Sequence, residues 1–444
     1  MKKILMLLTL FPLALSGCNV TPDEQDSKTS GSSESTSQNT GTTTTPSDTT
    51  SDDPTSEDEL EPDLIDLGKK TISEVKALCA SHVTSTNEAG LGVNNEYKVT
   101  IEGIAIDHND LVKTKAPYGL LPSAKTIFAD ETGYIACSGT ALMNSATDYT
   151  KQRKSFYTLT GKLSLYMGIP ELYVPSKNDY SNDKSKNLST SLDVTSICKA
   201  TKTVAELYTE FHSMPYNFSG HGYGDIFKVN NLKVLEKKES SNNYLATDGY
   251  RMIKLVSYDN LHVGTIYNMS GMISTKSWQP AFRCLGYTTV TDETIINNFP
   301  TEYKTTAVVN KTITEFKQIK SKQGESNVGQ RFDSFTDSFQ YVYKANAYVS
   351  YWVKSGNYQL TATDTYYSGT PTQDQETAHN SRGMVDFDNE NYNGTEYTIS
   401  HSPLYAYATE NVKVDIYFTA WQCSFINNKP IWQIFHLTET MPSE

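Results

Sequence analysis

The chain has 444 residues and a formal net charge of −13, from 38 Lys and Arg against 51 Asp and Glu. This length exceeds what one hydrophobic core supports and predicts several domains. Residues 1–68 hold 3 of the basic and 13 of the acidic residues, so the remaining chain is nearly neutral and its charge gives no support for nucleic-acid binding.

The first 18 residues combine two Lys, an apolar run and the sequence Leu15-Ser16-Gly17-Cys18. The apolar run is too short and wrongly flanked for a membrane-spanning helix. The segment resembles a bacterial lipoprotein signal peptide, whose lipobox ends in the cysteine that receives the lipid. The resemblance implies that the mature chain begins at Cys18 and is extracytoplasmic, anchored by lipid to a bacterial membrane. A cleaved signal peptide without lipid is the alternative.

Residues 19–68 are rich in Ser, Thr, Asp and Glu and contain few apolar side chains. Such a composition buries too little apolar surface to offset the loss of chain entropy on folding. We therefore predict a disordered tether between the membrane anchor and the first folded domain.

Three later parts of the chain carry the same signals in the same order. Each begins with a capping box, a Thr followed three residues later by Glu, at Thr71, Thr203 and Thr312. Each continues with an aromatic-Lys pair that opens a β-rich run, and then with a strand, a turn that contains Asp, and a further strand. This internal repetition predicts three copies of one structural unit.

Each unit also contains a predicted hairpin with a shared skeleton, which begins YTLTGKLS at residue 157, YNMSGMIS at 267 and YFTAWQCS at 417. We expect Tyr157, Tyr267 and Tyr417 to occupy equivalent positions. Gly161 and Gly271 are expected where the strand coils sharply, whereas the third copy has Trp421 there.

One short helix and about five strands per unit resemble the OB-fold, a five-stranded Greek-key barrel. The resemblance is to OB-fold modules of exported bacterial proteins, often lipoproteins and sometimes beside nuclease domains. It implies a mainly β protein with three tandem OB-like barrels, each preceded by a short helix. The predicted barrels span residues 69–185, 198–298 and 310–444, and the third contains an insertion at 365–400.

Sequence signatures of catalysis are absent: there is no HExxH, no GxSxG, no P-loop and no dinucleotide-binding glycine pattern. Five widely spaced Cys follow Cys18 without a CxxC pair, which favours free thiols over a metal site, and one disulfide stays open. The stretch DFDNEN at 386–391 has Asn where a calcium loop has Gly, which favours a solvated acidic loop. We expect no enzyme activity, no cofactor and no metal.

OB-folds bind ligands with their second and third strands and the nearby loops. Aromatic side chains predicted there provide stacking surfaces for sugars or bases, and an Arg adds charge. The candidate ligand-binding residues there are Tyr134, Tyr250, Arg251 and Tyr366, and Trp278, at the tip of the second repeated hairpin, is a further candidate. Packing of these rings within or between the barrels is the alternative.

These observations predict a surface-anchored lipoprotein that acts as a non-enzymatic ligand-binding or adhesion module. Only five residues of the whole chain are Arg, which favours an extracellular oligosaccharide or protein over nucleic acid as the partner. Two alternatives stay open: a nucleic-acid-capturing accessory subunit of an extracellular nuclease, and a structural spacer.

Overall fold

The computed structural model places residues 61–444 in one compact unit. It describes residues 64–86, 91–109, 125–138, 156–166, 168–174, 180–182, 194–213, 222–238, 241–276, 279–300, 308–319, 337–354, 357–367, 383–389, 392–426 and 429–437. The predicted signal peptide with Cys18, most of the predicted tether, and Trp278 lie outside the described residues.

Barrel 1 consists of five strands that close in the order β2, β3, β4, β6, β5 and back to β2. Two further strands pair along its edge: β1 runs parallel to β2, and β7 runs antiparallel to β5. Its elements are β1 (Ile65–Lys69), α1 (Ile72–His82), β2 (Leu91–Asn109), β3 (Lys125–Asp130), β4 (Gly133–Ser138), β5 (Phe156–Tyr166), β6 (Ile169–Tyr173) and β7 (Tyr180–Asn182).

Barrel 2 closes in the order β10, β12, β11, β8 and β9. A 3₁₀ turn at Val194–Ile197 leads into it. Its elements are α2 (Val204–Ser213), β8 (Gly222–Lys237), β9 (Asn243–Thr247), β10 (Met252–Val256), β11 (Ile266–Lys276), β12 (Gln279–Thr289) and α3 (Glu293–Asn297).

Barrel 3 closes through β14, β18, β19, β16 and β15, and β15 pairs back with β14. A 3₁₀ turn at Ser338–Gln340 precedes its first long strand. Its elements are β13 (Val308–Asn310), α4 (Ile313–Lys317), β14 (Val342–Lys354), β15 (Asn357–Thr363), β16 (Val385–Phe387), β17 (Asn393–Gly394), α5 (Glu396–Ile399), α6 (Tyr405–Ala408), β18 (Lys413–Ile426) and β19 (Lys429–His436).

The predicted fold class is confirmed: the protein is mainly β, with three closed five-stranded barrels of the OB-like type in tandem. The three capping boxes are also present, because each Glu accepts hydrogen bonds from the backbone and hydroxyl of its Thr. These hydrogen bonds lower the pKa of Glu74, Glu206 and Glu315.

The aspartate of each predicted turn forms hydrogen bonds that link the start of the helix to its barrel. A carboxylate oxygen of Asp130 accepts from the Ile72 backbone at 2.8 Å, and one of Asp248 accepts from Val204 at 3.0 Å. In barrel 3, both oxygens of Asp364 accept backbone N–H groups at the start of α4, at 2.7 and 2.8 Å. The capping box and the turn aspartate, which recur separately in the sequence, therefore meet in the structure at the start of each helix.

The glycines of the repeated hairpin occur where two backbones approach closely. A Cβ atom at Gly161 would lie 2.6 Å from the Tyr173 carbonyl oxygen, and one at Gly271 would lie 2.6 Å from the Arg283 carbonyl oxygen. In the third copy, Trp421 is an extra residue in β18, since Ala420 pairs with Ile434 while Gln422 pairs with Gln433. Trp421 is therefore not the counterpart of the glycines.

The expected equivalence of the three tyrosines is wrong for the third. Tyr157 and Tyr267 face the cores of their barrels and are 1% and 2% exposed. Tyr417 points out of its barrel, where Lys344 lies 5.4 Å from the ring centroid, and the neighbouring Phe418 fills the core instead. The alternation along β18 is thus one residue out of phase with the skeleton that the sequence suggests.

Two predicted boundaries also change. The first barrel begins at Ile65, inside the predicted tether, because Leu67 packs against the barrel core and β1 pairs with β2. The third strand of barrel 3 is β16, beyond Tyr366, and the predicted insertion supplies this strand together with α5. All five described Cys are free thiols, and all except Cys198 are buried.

Candidate ligand surface

The outer face of β3 and β4 in barrel 1, where an OB-fold ligand would bind, is covered by barrel 2. Apolar side chains from both barrels form one buried cluster there. Barrel 1 contributes Ile106, Ile127, Ala129 and Ala136, and barrel 2 contributes Ile226, Met272 and Leu285. Leu285 is the extra residue at an irregularity of β12, since Ser270 pairs with Gly286 and Gly271 with Cys284.

The corresponding face of barrel 2 is covered by barrel 3 in the same way. Leu245 of β9 and Met252 of β10 share a buried cluster with Val342, Trp421, Phe435 and Leu437 of barrel 3. The ammonium of Lys254 lies 4.4 Å from the centroid of the Trp421 ring. In both contacts the residue at a strand irregularity, Leu285 or Trp421, points into the preceding barrel.

The same face of barrel 3 is polar but also buried. The side chains that alternate with its core residues are Ser350, Trp352, Thr361 and Asp386, each at most 2% exposed. The Trp352 indole N–H donates to Asp386 at 3.1 Å, and the Ser350 and Thr361 hydroxyls are 3.1 Å apart. The open groove along the second and third strands that the sequence suggests is therefore absent from all three barrels as far as they are described.

Tyr134 is a packing residue, which corrects its interpretation as a ligand-stacking ring. It lies at the start of β4 as expected, but its hydroxyl donates to the Gly224 carbonyl of barrel 2. The Lys76 ammonium lies 4.7 Å from its ring centroid, and burial raises the pKa of Tyr134. The sequence could not separate these roles because the partner belongs to another barrel.

Tyr250 and Arg251 lie together where barrels 2 and 3 meet. The Tyr250 side chain is 62% exposed, one of the most exposed large aromatic residues described. Arg251 donates from Nε to the Gln340 side chain at 3.2 Å and from Nη1 to the Tyr250 carbonyl at 3.0 Å. Its guanidinium lies 5.4 Å from the centroid of the Tyr341 ring, which fixes the charge beside the exposed tyrosine.

Behind these residues, a series of polar contacts between partly exposed side chains joins the two barrels. Asp337 Oδ1 lies 2.8 Å from His212 Nε2 of α2 and accepts from the Gln340 amide at 3.1 Å. We call Tyr250, Arg251 and Tyr341, with Asp337, Gln340 and His212 behind them, the seam. Only Tyr250 and Arg251 were identified from the sequence, because the others gain a role only when two barrels pack together.

Tyr366 lies on barrel 3 and does not join the seam residues. It is 37% exposed, and its ring meets Tyr348 edge-on with centroids 5.6 Å apart. The Lys413 ammonium lies 5.3 Å from the Tyr348 centroid. The sequence placed Tyr366 at the start of the third strand or in the turn before it, and Tyr366 lies after the end of β15 and before β16.

The described part of the acidic stretch, residues 386–389, is buried and is not the solvated loop that its sequence suggests. Asp386 and Asp388 are 2% and 8% exposed, and Asp388 Oδ2 lies 2.8 Å from the Lys238 ammonium of barrel 2. Burial raises the pKa of Asp388, and Lys238 opposes that shift. Within the described residues, no group of three or more His, Cys, Asp or Glu could hold a metal ion.

No helix among the described residues is long and apolar enough to cross a membrane.

Within the described part of the chain, the seam is where an exposed aromatic ring most clearly lies beside a cation of fixed orientation. Its geometry suits stacking against a flat apolar face together with one charged hydrogen bond.

No protein-family model and no curated protein matches the chain. Among solved structures, a replication protein A heterotrimer bound to ssDNA matches with 11% identity and a TM-score of 0.26, covering 76% of this chain and 92% of that one. The p204 HINb domain matches with 11% identity, a TM-score of 0.22, and coverage of 43% and 95%. The Ifi202 HINa domain in complex with 20bp dsDNA matches with 12% identity, a TM-score of 0.19, and coverage of 43% and 94%. At TM-scores of this size, none of these similarities supports an argument about the ligand of this chain.

Proposed function

We propose that this chain is a lipid-anchored envelope protein that binds an extracellular ligand without catalysing a reaction, and that the ligand contacts the seam. The observation that carries this proposal is the exposed Tyr250 ring beside Arg251. The Tyr250 side chain is 62% exposed and is therefore free to contact a ligand. The adjacent Arg251 guanidinium is held in place by Gln340 and Tyr341. Such preorganisation lowers the entropy cost of binding.

An oligosaccharide or a protein is the favoured ligand. One aromatic face and one cation match a sugar ring or an amphipathic side chain, whereas a nucleic-acid strand is usually followed by a row of cations. The described seam contains one Arg, and the negative Asp337 lies behind it, 2.8 Å from His212. Capture of nucleic acid for a separate nuclease is the second candidate and would make binding steeply dependent on salt.

The binding proposal is tested with the chain lacking only residues 1–18. The probes are a fluorescent 20-nucleotide oligothymidine and a printed array of neutral and acidic oligosaccharides. We expect Tyr250→Ala to weaken binding of any recognised probe about tenfold or more, with an unchanged melting temperature. Tyr287→Ala is the matched control, because Tyr287 is a half-exposed ring of the same barrel, 39% exposed. Equal binding by the Tyr250 variant and the wild type would show that the ligand does not contact the seam.

The anchor is tested separately by Cys18→Ala. Stable anchoring needs two or more acyl chains, each contributing about 0.8 kcal/mol per buried CH₂ group. We expect the variant to remain unprocessed or to leave the membrane fraction, while a Ser16→Ala control fractionates like the wild type. A Cys18 variant that is processed and retained normally would contradict the lipoprotein assignment.

A further inference from the structure

A second aromatic region, made of partly buried rings, lies at the end of barrel 3 remote from α4. Phe316 of α4 packs against Tyr343 near the start of β14, with ring centroids 4.9 Å apart. Eight residues along the same strand, or about 26 Å at the usual rise, Tyr351 stacks with Tyr405 of α6 at 6.3 Å. Tyr358 of β15 lies 6.4 Å from Tyr351 on its other side.

Short helix α5 adds a more exposed ring and two polar side chains to this end of the barrel. Its strand β17 pairs Gly394 with Tyr358, which fixes α5 beside these rings. Tyr397 is 74% exposed and meets the exposed His401 ring edge-on, with centroids 4.3 Å apart. Burial, followed by the neighbouring Tyr405, Glu396 and Tyr358, raises the pKa of Tyr351, so the Glu396 carboxylate lies near the same rings. We call Tyr351, Tyr358, Glu396, Tyr397, His401 and Tyr405 the aromatic end.

The hydrogen bonding of His401 determines what its free nitrogen offers. His401 Nδ1 lies 2.7 Å from the Tyr397 carbonyl oxygen. A carbonyl oxygen can only accept, so Nδ1 carries the hydrogen, and Nε2 of the neutral ring presents a lone pair. The exposed Glu396 carboxylate also offers acceptor oxygens. The aromatic end therefore presents two hydrogen-bond acceptors: the His401 imidazole against the exposed Tyr397 ring, and the Glu396 carboxylate near Tyr351.

We propose that the aromatic end is a second binding site and that its ligand is a neutral saccharide. A sugar ring presents C–H groups to an aromatic face and hydroxyl donors around its edge. These groups match a cluster of tyrosine rings that has an imidazole lone pair at Tyr397 and a carboxylate near Tyr351. A phosphodiester offers only acceptors and carries negative charge, so Glu396 and His401 both disfavour it. This site does not depend on the seam, which uses other residues.

The test uses saturation-transfer NMR on the chain without residues 1–18. The probes are neutral oligomers of glucose, galactose, mannose and N-acetylglucosamine, with a dinucleotide as the anionic comparison. We expect transfer to at least one neutral oligomer and none to the dinucleotide. Tyr397→Ala should weaken that binding about tenfold. Glu396→Gln, which keeps the shape and removes the charge, should weaken it less.

Two variants separate this site from the seam. Tyr250→Ala should leave the neutral-oligomer signal unchanged, because the seam is a different surface. Tyr287→Ala serves as the control for an exposed tyrosine unconnected with either site. If no neutral oligomer gives a signal that Tyr397→Ala removes, or if the dinucleotide competes for it, the saccharide proposal is overturned, whatever happens at the seam.

Discussion

The contact between barrels 1 and 2 and the contact between barrels 2 and 3 use the same surfaces but differ in chemistry. In both, the outer face of the second and third strands packs against the strand irregularity of the next barrel. The first contact is mainly aliphatic, and its described polar part consists of Tyr134, which donates to the Gly224 carbonyl, and of Asp225 in barrel 2. Burial lowers the pKa of Lys76 in barrel 1, and the nearby Asp225 carboxylate opposes that shift. The second adds the Lys254–Trp421, Lys238–Asp388 and His212–Asp337 pairs.

This difference shows how a repeated packing mode acquires one defined geometry. Apolar contact is non-directional and tolerates sliding, whereas hydrogen-bonded charges have preferred positions. Barrel 3 is therefore held to barrel 2 at several separate points, and the seam occurs at this contact. We expect perturbations of the second contact to be more costly than matched perturbations of the first.

The largest difference is expected for the two residues at the strand irregularities. Trp421→Ala should lower the free energy of unfolding of barrel 3 by about 3–5 kcal/mol, because a fully buried indole is lost and Lys254 loses its aromatic partner. Leu285→Ala, the counterpart at the first contact, should cost about 2–3 kcal/mol. Urea titration followed by calorimetry measures both. Equal losses would mean that the charged and aromatic contacts add nothing.

Barrel 3 should also be the acid-sensitive part of the array. Burial lowers the pKa of His436 to about 4, from an ordinary value of 6.5, and Tyr392 lies 2.6 Å from its Nδ1. As the pH falls below 6.5 the unfolded chain takes up a proton that the folded barrel does not. Stability is thus lost between pH 6.5 and 4, by about 3 kcal/mol in total.

Calorimetry from pH 7.5 to 4 measures this loss. His436→Gln should flatten the pH dependence of the barrel 3 transition, at some cost in stability at neutral pH. His262→Gln, which replaces an exposed histidine of barrel 2, should leave the profile unchanged. A profile that is the same in the His436 variant as in the wild type would exclude this histidine as the cause.

A smaller effect should separate two lysine–aspartate pairs. Lys238→Met leaves the nearly buried Asp388 without its cation and should cost about 2 kcal/mol at neutral pH, less in acid as the carboxylate takes up a proton. Lys199 pairs with Asp225 at the same 2.8 Å, but both side chains are about half exposed. Lys199→Met should therefore leave the melting temperature nearly unchanged. A comparable loss in both variants would show that burial does not determine the strength of these pairs.

The barrels themselves were readable from the sequence because their signals are local. The capping boxes, the turn aspartates and the alternation of Tyr157 or Tyr267 with polar neighbours each depend on residues close together in the chain. The same locality explains the error at Tyr417. Trp421 is an extra residue in β18, so the side chains before it alternate in the opposite phase to those after it. The spacing of the sequence motif hides this shift, and Tyr417 therefore lies on the outer face.

The candidate site was less predictable because burial between barrels is not a local property. Tyr134 lies at the start of the third strand of its barrel and Tyr250 lies in the turn just before the third strand of its own, yet the first is bonded to Gly224 and the second is exposed. Nothing in their immediate sequence distinguishes them. Gln340 and Tyr341, which hold Arg251, are nearly 90 residues away from it in the chain.

The head-to-tail covering of the barrel faces has a consequence for valency. Tandem copies of a binding module usually raise avidity, because each copy adds an equivalent site and later binding events become intramolecular. Here each following barrel occupies the face that its predecessor would have offered, and the same face of the third barrel is also buried. Lengthening such an array would make it longer without adding open sites on those faces, so an array of this kind does not gain avidity from the number of its barrels.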